Sequence, residues 1–390
     1  MFQFMTSNKV IFGEGALSQS LSMLGRYGYS VLLVTGKGGE RAEPLINYMK
    51  QQGMRYQQVA VWGEPVIAMV EELAAMGRRF APDMVVAVGG GSVMDVGKTL
   101  AAIIPNQGSV YDYLEVIGRN LPFKNAPLPC IAVPTNAGTG SEVTRNAVLK
   151  SAQENIKVNI RDESLLPDVA IIDPTLTYGM GRALSARSGL DAYTHLMEVY
   201  VCNAPNPFSD MVCEEGLRKL SGAIFLACED DDFRARADMA FASMLGGMAR
   251  SNASLGAAHG LSAALGGRLS APHGTITARL APFVMAENIA VAKQMGRNDV
   301  LNRYRRLAVL LTDNMQAKPQ DAIEWTNNAL NRLQIPSLQM YGLAYDMFDG
   351  IAEDALRSTA IKGNPLPLTN ERLIHILEQV SQATLMPDPV

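Results

Sequence analysis

The chain has 390 residues, 48% hydrophobic and 18% charged, with a formal net charge of −4 and a pI near 5.7. That length exceeds one ordinary hydrophobic core and sets two domains as the expectation. The charge balance offers no basic footprint for nucleic acid or an anionic membrane surface, and no apolar run reaches the roughly 18 residues of a membrane span.

From the N-terminus, MFQFMTSNKVIFGEG has no basic stretch leading into an apolar one, so no signal peptide is expected. Strand-like and helix-like stretches then alternate. YSVLLVTG (Tyr29–Gly36) is a short β-rich run closed by glycine, and a helical stretch follows over Glu43–Gln52 with Pro44 in its first turn. YQQVAVW (Tyr56–Trp62) reads as a second strand, Val66–Phe80 as a helix, and DMVVAVGGGS (83–92) as a buried strand running into glycines. LPCIAVPT (Leu128–Thr135) and DVAIIDP (Asp168–Pro174) are further strands. Continuous apolar strands separated by amphipathic helices predict a parallel sheet covered on both faces.

After DPTLT (Asp173–Thr177) the pattern changes. From Gly189 onward apolar residues recur at three- and four-residue spacing, as in MVCEEGLRKLSGAIFLAC and DAIEWTNNALNRLQ, with almost no β-branched runs. The expected architecture is an α/β domain over 1–178 and an all-helical domain over 179–390. Pro336 and KGNPLPL (Lys362–Leu368) mark loops. Cys130, Cys202, Cys213 and Cys228 form neither a CxxC nor a zinc-ribbon spacing, which reads as reduced structural thiols in a cytoplasmic protein. The 21 methionines suit an adaptable core.

In VVAVGGGSVMDVGKT, Gly89, Gly90, Gly91 and Ser92 lie between a strand and a helix expected to begin near Val93. Free backbone N–H groups at such a helix start, approached without a Cβ, suit a pyrophosphate; a tight structural turn is the competing reading. Two familiar motifs fail here. A phosphate-loop signature needs glycine where Ser92 stands, and the GxGxxG fingerprint around TGKGGERAE has Arg41 at its third glycine. A second polar loop, VPTNAGTGSEVTRNAV, sets Thr135, Asn136, Thr139, Ser141 and Thr144 around Gly138 and Gly140. Its hydroxyls and amides suit a nucleotide's ribose and phosphates, or an ordinary Asx and Ser/Thr turn.

The chain holds only four histidines. GLDAYTHLME places Asp191 four residues before His195, and GAAHGLSAALGGRLSAPHG carries His259 and His273 among small residues. A carboxylate one helical turn before an imidazole can be no more than a local hydrogen bond. Together, however, Asp191, His195, His259 and His273 make an N/O set suited to Fe²⁺, Zn²⁺ or a similar divalent ion. One carboxylate leaves the ion a net positive charge and hence Lewis acidity. His375, in NERLIHILEQ, lacks such company and reads as an ordinary helical histidine.

Across nearly its whole length the chain resembles the iron-containing (group III) alcohol dehydrogenases, through KVIFGEGAL, GGGSVMDVGK, PTNAGTGSEVT, LLPDVAIIDPTLT, GLDAYTHLMEVYV and GAAHGLSAALGGRLSAPHG in order. The resemblance implies a fold like that of dehydroquinate synthase, with an N-terminal dinucleotide-binding α/β domain, a C-terminal helical domain and a metal in the cleft. It places the metal-borne catalytic centre on Asp191, His195, His259 and His273, with Fe²⁺ favoured and Zn²⁺ admissible. It places an NAD or NADP site on Gly36, Gly90, Gly91, Ser92, Asp95, Thr135, Asn136, Thr144, Asn146, Lys157 and Leu176. The implied reaction is hydride transfer between a nicotinamide cofactor and a small alcohol or aldehyde, in a cytoplasmic homodimer or larger homo-oligomer with no nucleic-acid or membrane partner. The alternatives are an NAD-using lyase resembling dehydroquinate synthase and a non-catalytic binding protein.

Two departures from the family pattern stand out. Gly36 replaces the aspartate that many members use to hold the adenosine ribose, which admits a 2′-phosphate that Lys37 can attract. Ala263 stands where many members have a second histidine one turn beyond the third ligand, so proton release must pass through water, a ribose hydroxyl or another side chain.

Overall fold

A computed structural model describes residues 2–154 and 156–383. The chain divides into two compact units. One is Met5–Tyr178; the other runs from Gly179 onward and takes in the few residues before Met5.

The first unit is built on β1 (Lys9–Phe12), α1 (Ala16–Ser20), β2 (Ser30–Gly36), α2 (Glu43–Gln51), β3 (Arg55–Val61), α3 (Ile67–Phe80), β4 (Met84–Gly89), α4 (Gly91–Ile103), β5 (Cys130–Pro134), β6 (Asn146–Ser151), β7 (Ile156–Arg161) and β8 (Val169–Ile172). Six strands form a parallel sheet in the order β1-β8-β5-β4-β2-β3, and β6 and β7 pair as an antiparallel ribbon. The expected sheet is present: β2 is one residue shorter than the run that announced it, β3 is shifted from its run by one residue, and β4, β5 and β8 are each shorter by three or more. β1 and the β6–β7 ribbon are additions.

The central strands are apolar on both faces because both are covered. Leu32, Val34, Val85 and Ala87 join one core with α3 and α4; Val31, Leu33, Met84, Val86 and Val88 join the other with α1 and α2. Each such valine, leucine or methionine side chain contributes about 1.5–3 kcal/mol by leaving water. The edge strand β3 is polar along most of its length, RYQQ, as an exposed edge requires. The connection from β2 leads to β3 on one side, and the next crossover returns past β2 to β4. The sheet therefore reverses its winding between the carboxyl ends of β2 and β4, the position at which open α/β sheets bind ligands.

The second unit is helical: α5 (Arg182–Val201), α6 (Pro207–Glu229), α7 (Phe233–Asn252), α8 (Ala257–Leu265), α9 (His273–Gln294), α10 (Asn298–Thr312), α11 (Pro319–Arg332), α12 (Phe348–Arg357) and α13 (Asn370–Gln382). Among the described residues it has no strand, and no helix is long and apolar enough to cross a membrane. α5 runs through the middle and is buried on all sides from Gly189 to Val201. Asp191, His195 and Glu198, at i, i+4 and i+7, share one face of that buried helix. Polar groups so placed must find partners inside the protein.

Candidate metal centre and nucleotide-binding turn

In the helical unit the four expected ligands converge. One oxygen of Asp191 and one ring nitrogen each of His195, His259 and His273 all lie within 4.8 Å of one another. Asp191 and His195 come from the middle of α5, His259 from the first turn of α8 and His273 from the first residue of α9. The His195 and His259 rings stack with centroids 4.6 Å apart, and the His273 ring tilts against His259 at 5.6 Å. Asp191 Oδ1 lies 3.6 Å from His273 Nε2, and Asp191 Oδ2 lies 3.9 Å from His195 Nδ1. An ion bonded at about 2.0–2.2 Å to each of four N/O atoms needs them about 3–4 Å apart, so small side-chain adjustments suffice.

Close backbone approach makes the convergence geometrically available. A Cβ on Gly274 would sit 2.3 Å from the Arg187 carbonyl oxygen, so only glycine lets the start of α9 lie this close to α5. The donor set fits an ion by a direct observation: His259 Nε2 is buried and has no hydrogen-bond partner among the described residues. A buried ring nitrogen left without a partner costs free energy unless something supplies one.

Around the cluster stands a second ring of groups that sequence reasoning did not find. Thr277 Oγ1 donates to Asp191 Oδ1 at 3.1 Å, Ser262 Oγ lies 3.0 Å from His273 Nδ1, and Glu198 Oε2 lies 2.6 Å from His259 Nδ1. Only Glu198 had a signal in the sequence, as the third member of the α5 polar face. His375 lies apart on α13 with its Nδ1 3.2 Å from Glu287, as an ordinary helical histidine would.

In the α/β unit, α4 begins at Gly91, two residues earlier than expected, with Gly90 as its N-cap and no side chain capping it. Its first N–H groups and the helix dipole face the carboxyl ends of the strands, a site for an anion. The register aligns Thr35 with Val88 and Gly89 with Pro134, so Gly36, Gly90, Gly91, Ser92, Thr135 and Asn136 gather at these ends. Asn136 Nδ2 lies 3.2 Å from where a Gly90 Cβ would be. A side chain at Gly90 or Gly91 would fill the cradle that a pyrophosphate needs.

Other expected cofactor residues have partners within the protein. The ammonium of Lys98 is buried, and it is solvated by Ser141 Oγ at 2.7 Å, Ser141 O at 3.0 Å, Thr144 Oγ1 at 3.0 Å and Asn146 O at 2.5 Å. Asp95 sits 3.4 Å from the same ammonium and accepts from Ser141 Oγ and from the Val148 N–H. A buried charge costs several kcal/mol unless so surrounded. Asp95 and the wholly buried Thr144 thus hold the 141–146 loop against α4. The Asn146 amide donates to Asn159, Lys157 pairs with Glu64, and Leu176 packs against the core on the α1 and α2 face. All four cysteines are free and buried, with burial pushing the Cys130 thiol up to about 12 and Cys228 to about 11.

Comparison with known proteins bears on both units. The family model "Iron-containing alcohol dehydrogenase" matches residues 7–174, and "Fe-containing alcohol dehydrogenase family, C-terminal" matches residues 185–381. Alcohol dehydrogenase 4 of Saccharomyces cerevisiae is 33% identical over 376 residues, covering 94% of this chain and 95% of that protein. The 1,3-propanediol dehydrogenase of Klebsiella pneumoniae is 32% identical over 97% of this chain and 98% of its own length. A crystal structure of a 1,3-propanediol oxidoreductase superposes with a TM-score of 0.89 at 31% identity, covering 97% of this chain and all of that one.

Proposed function

The chain belongs to the iron-containing alcohol dehydrogenase family, and from that premise we propose that Asp191, His195, His259 and His273 hold its catalytic ion. It is a metal-dependent, NAD(P)-linked oxidoreductase acting on CH–OH groups, an alcohol dehydrogenase and aldehyde reductase. The observation that carries the site assignment is the convergence of one carboxylate and three imidazoles in the helical unit. The residents we assign are Fe²⁺, with Zn²⁺ acceptable to the same donors, and NADP(H) in preference to NAD(H). The division of labour belongs to the same reading: residues 1–178 hold the dinucleotide, and residues 179–390 hold the ion and a small alcohol or aldehyde. So does a cytoplasmic homodimer or larger assembly.

When bound, the ion acidifies an alcohol or polarises a carbonyl, and the nicotinamide accepts or returns the hydride. The protein's part is positional. The open turn at Gly90, Gly91 and Ser92 offers N–H groups and a helix dipole to the pyrophosphate, and the Lys98–Asp95–Ser141 network stiffens the loop beside it. Gly36 leaves open space at the end of β2, and Lys37 stands over the exposed Trp62 ring at 6.0 Å, a cation beside the place a 2′-phosphate would take. Ala263 is exposed one turn beyond His259 and cannot carry a proton, so the proton that leaves the alcohol passes through water, a ribose hydroxyl or another side chain.

The test is reduced-nicotinamide absorbance with short aldehydes, before and after removal of metal with a chelator. The expected result is aldehyde-dependent NADPH loss that disappears on chelation and returns with Fe²⁺ or Zn²⁺. Turnover indifferent to chelation contradicts the metal assignment. A lyase that regenerates its cofactor in each cycle would show no net change.

A further inference from the structure

Glu198 lies outside the four groups proposed to hold the ion, yet it is the most heavily engaged carboxylate near them. It is 2% exposed, two turns after Asp191 and one after His195 on the same face of α5. Its Oε1 accepts from the Ala258 N–H at 2.6 Å, and its Oε2 accepts from the Gly256 N–H at 3.0 Å and, more weakly, the His259 N–H at 3.4 Å. These are the unpaired donors of the first turn of α8, which has no side-chain cap of its own. A carboxylate from another helix therefore caps α8. Gly256 leaves room for it, since a Cβ there would lie 2.9 Å from Glu198 Oε1.

The fourth contact turns a helix cap into part of the metal centre. Glu198 Oε2 lies 2.6 Å from His259 Nδ1. Both carboxylate oxygens already accept from backbone N–H groups, so at this contact the imidazole donates and Nδ1 carries the proton. Nε2 is then the nitrogen with the free lone pair, and it is the buried atom left without a partner on the side of Asp191, His195 and His273.

We propose that Glu198 is the positioning residue of the metal centre: it fixes His259 in the tautomer and ring orientation that present Nε2 to the ion, and it pins the first turn of α8 to α5 so that the site is formed before the ion arrives. Outer carboxylates that hold a metal-binding imidazole typically change metal affinity about 10–100-fold when removed. The inference rests on the metal-site reading above. A second acceptor at the same helix start, Asn364, takes the Ala257 N–H at 3.2 Å without touching an imidazole. It separates capping from ligand orientation.

Two measurements on the full chain test this. The first needs no variant: in ¹⁵N-histidine-labelled, metal-stripped protein, the His259 ring should show a proton on Nδ1 and a bare Nε2. A proton on Nε2 overturns the proposal. The second is competition for Zn²⁺ with a chromophoric chelator. Glu198→Gln keeps size and removes charge but places an NH₂ among converging donors; Zn²⁺ affinity should fall about 10–100-fold. Asn364→Ser should lower the melting temperature while leaving Zn²⁺ affinity within about twofold, as expected of a cap without ligand contact. A folded Glu198→Gln protein that binds Zn²⁺ as tightly as wild type overturns the positioning role and leaves the metal site standing. Wild-type protein that binds no Zn²⁺ at this cluster overturns the site reading itself.

Discussion

Gly36 closes β2, and a Cβ built on it would meet nothing within 4 Å. That vacant volume lies at the sheet's reversal point, next to Lys37 and level with the glycine turn that starts α4. An aspartate at this position would accept hydrogen bonds from a ribose 2′-hydroxyl and repel a 2′-phosphate carrying up to two negative charges. Gly36→Asp should therefore raise the Kd for NADPH about 10-fold or more and move the preference toward NADH, with aldehyde kcat little changed. Fluorescence titration with both cofactors reads this directly, and an unchanged NADPH to NADH ratio would place the adenosine end elsewhere. At this scale the sequence was readable where a residue type is scarce or the position unusual. With four histidines in the chain, three in one cluster could be picked out before any coordinates. Glu198, Ser262 and Thr277 were not, because each is one of many such residues and acts only through neighbours brought together by folding: the Glu198 backbone partners lie 58 to 61 positions away in sequence.

The start of α9 shows how an element, more than a residue, sets the site. His273 is its first residue, and Gly274 behind it packs on the Arg187 carbonyl. Gly274→Ala must push α9 away from α5, because its methyl meets backbone that cannot swing aside as a side chain can. The expected cost is about 1–3 kcal/mol in denaturant unfolding. Zn²⁺ binding should weaken as well, since His273 moves off Asp191. Full stability with full affinity would show that the close approach is not needed. The central strands were legible because burial on both faces leaves continuous apolar runs, and the helices of the second unit because apolar residues recur at helical spacing. β1 was missed because KVIF is four residues at a sheet edge, where no continuous run is required. The β6–β7 ribbon was missed although Ala147, Leu149, Val158 and Ile160 alternate inward, because Asn146, Lys150, Lys157, Asn159 and Arg161 occupy most of the other face and mimic a polar loop. The same hairpin carries Asn146 and Lys157, whose partners within the protein are Asn159 and Glu64.

Across the whole molecule the proposed function divides the chemistry between the two units. The α/β unit offers an uncapped helix start at the reversal of a parallel sheet. The helical unit buries Asp191 and His195 on a central helix whose every side is covered, with the buried His259 and the part-exposed His273 brought to it by α8 and α9. Such a helix shows little amphipathic contrast, so its informative residues are the polar ones that burial would forbid unless they had work to do. The thiols do not compete for that work: all four are buried, and their raised affinity for protons keeps Cys130 and Cys228 protonated near neutral pH. The central claim is therefore an ion held by nitrogen and oxygen alone. X-ray absorption at the iron and zinc edges on protein purified without air tests it most directly. The expected spectrum has one ion per chain, a shell of nitrogen and oxygen at about 2.0–2.2 Å, outer-shell scattering from three imidazoles and no sulfur. Sulfur in the first shell, fewer imidazoles, or a spectrum unchanged by His259→Ala would contradict it.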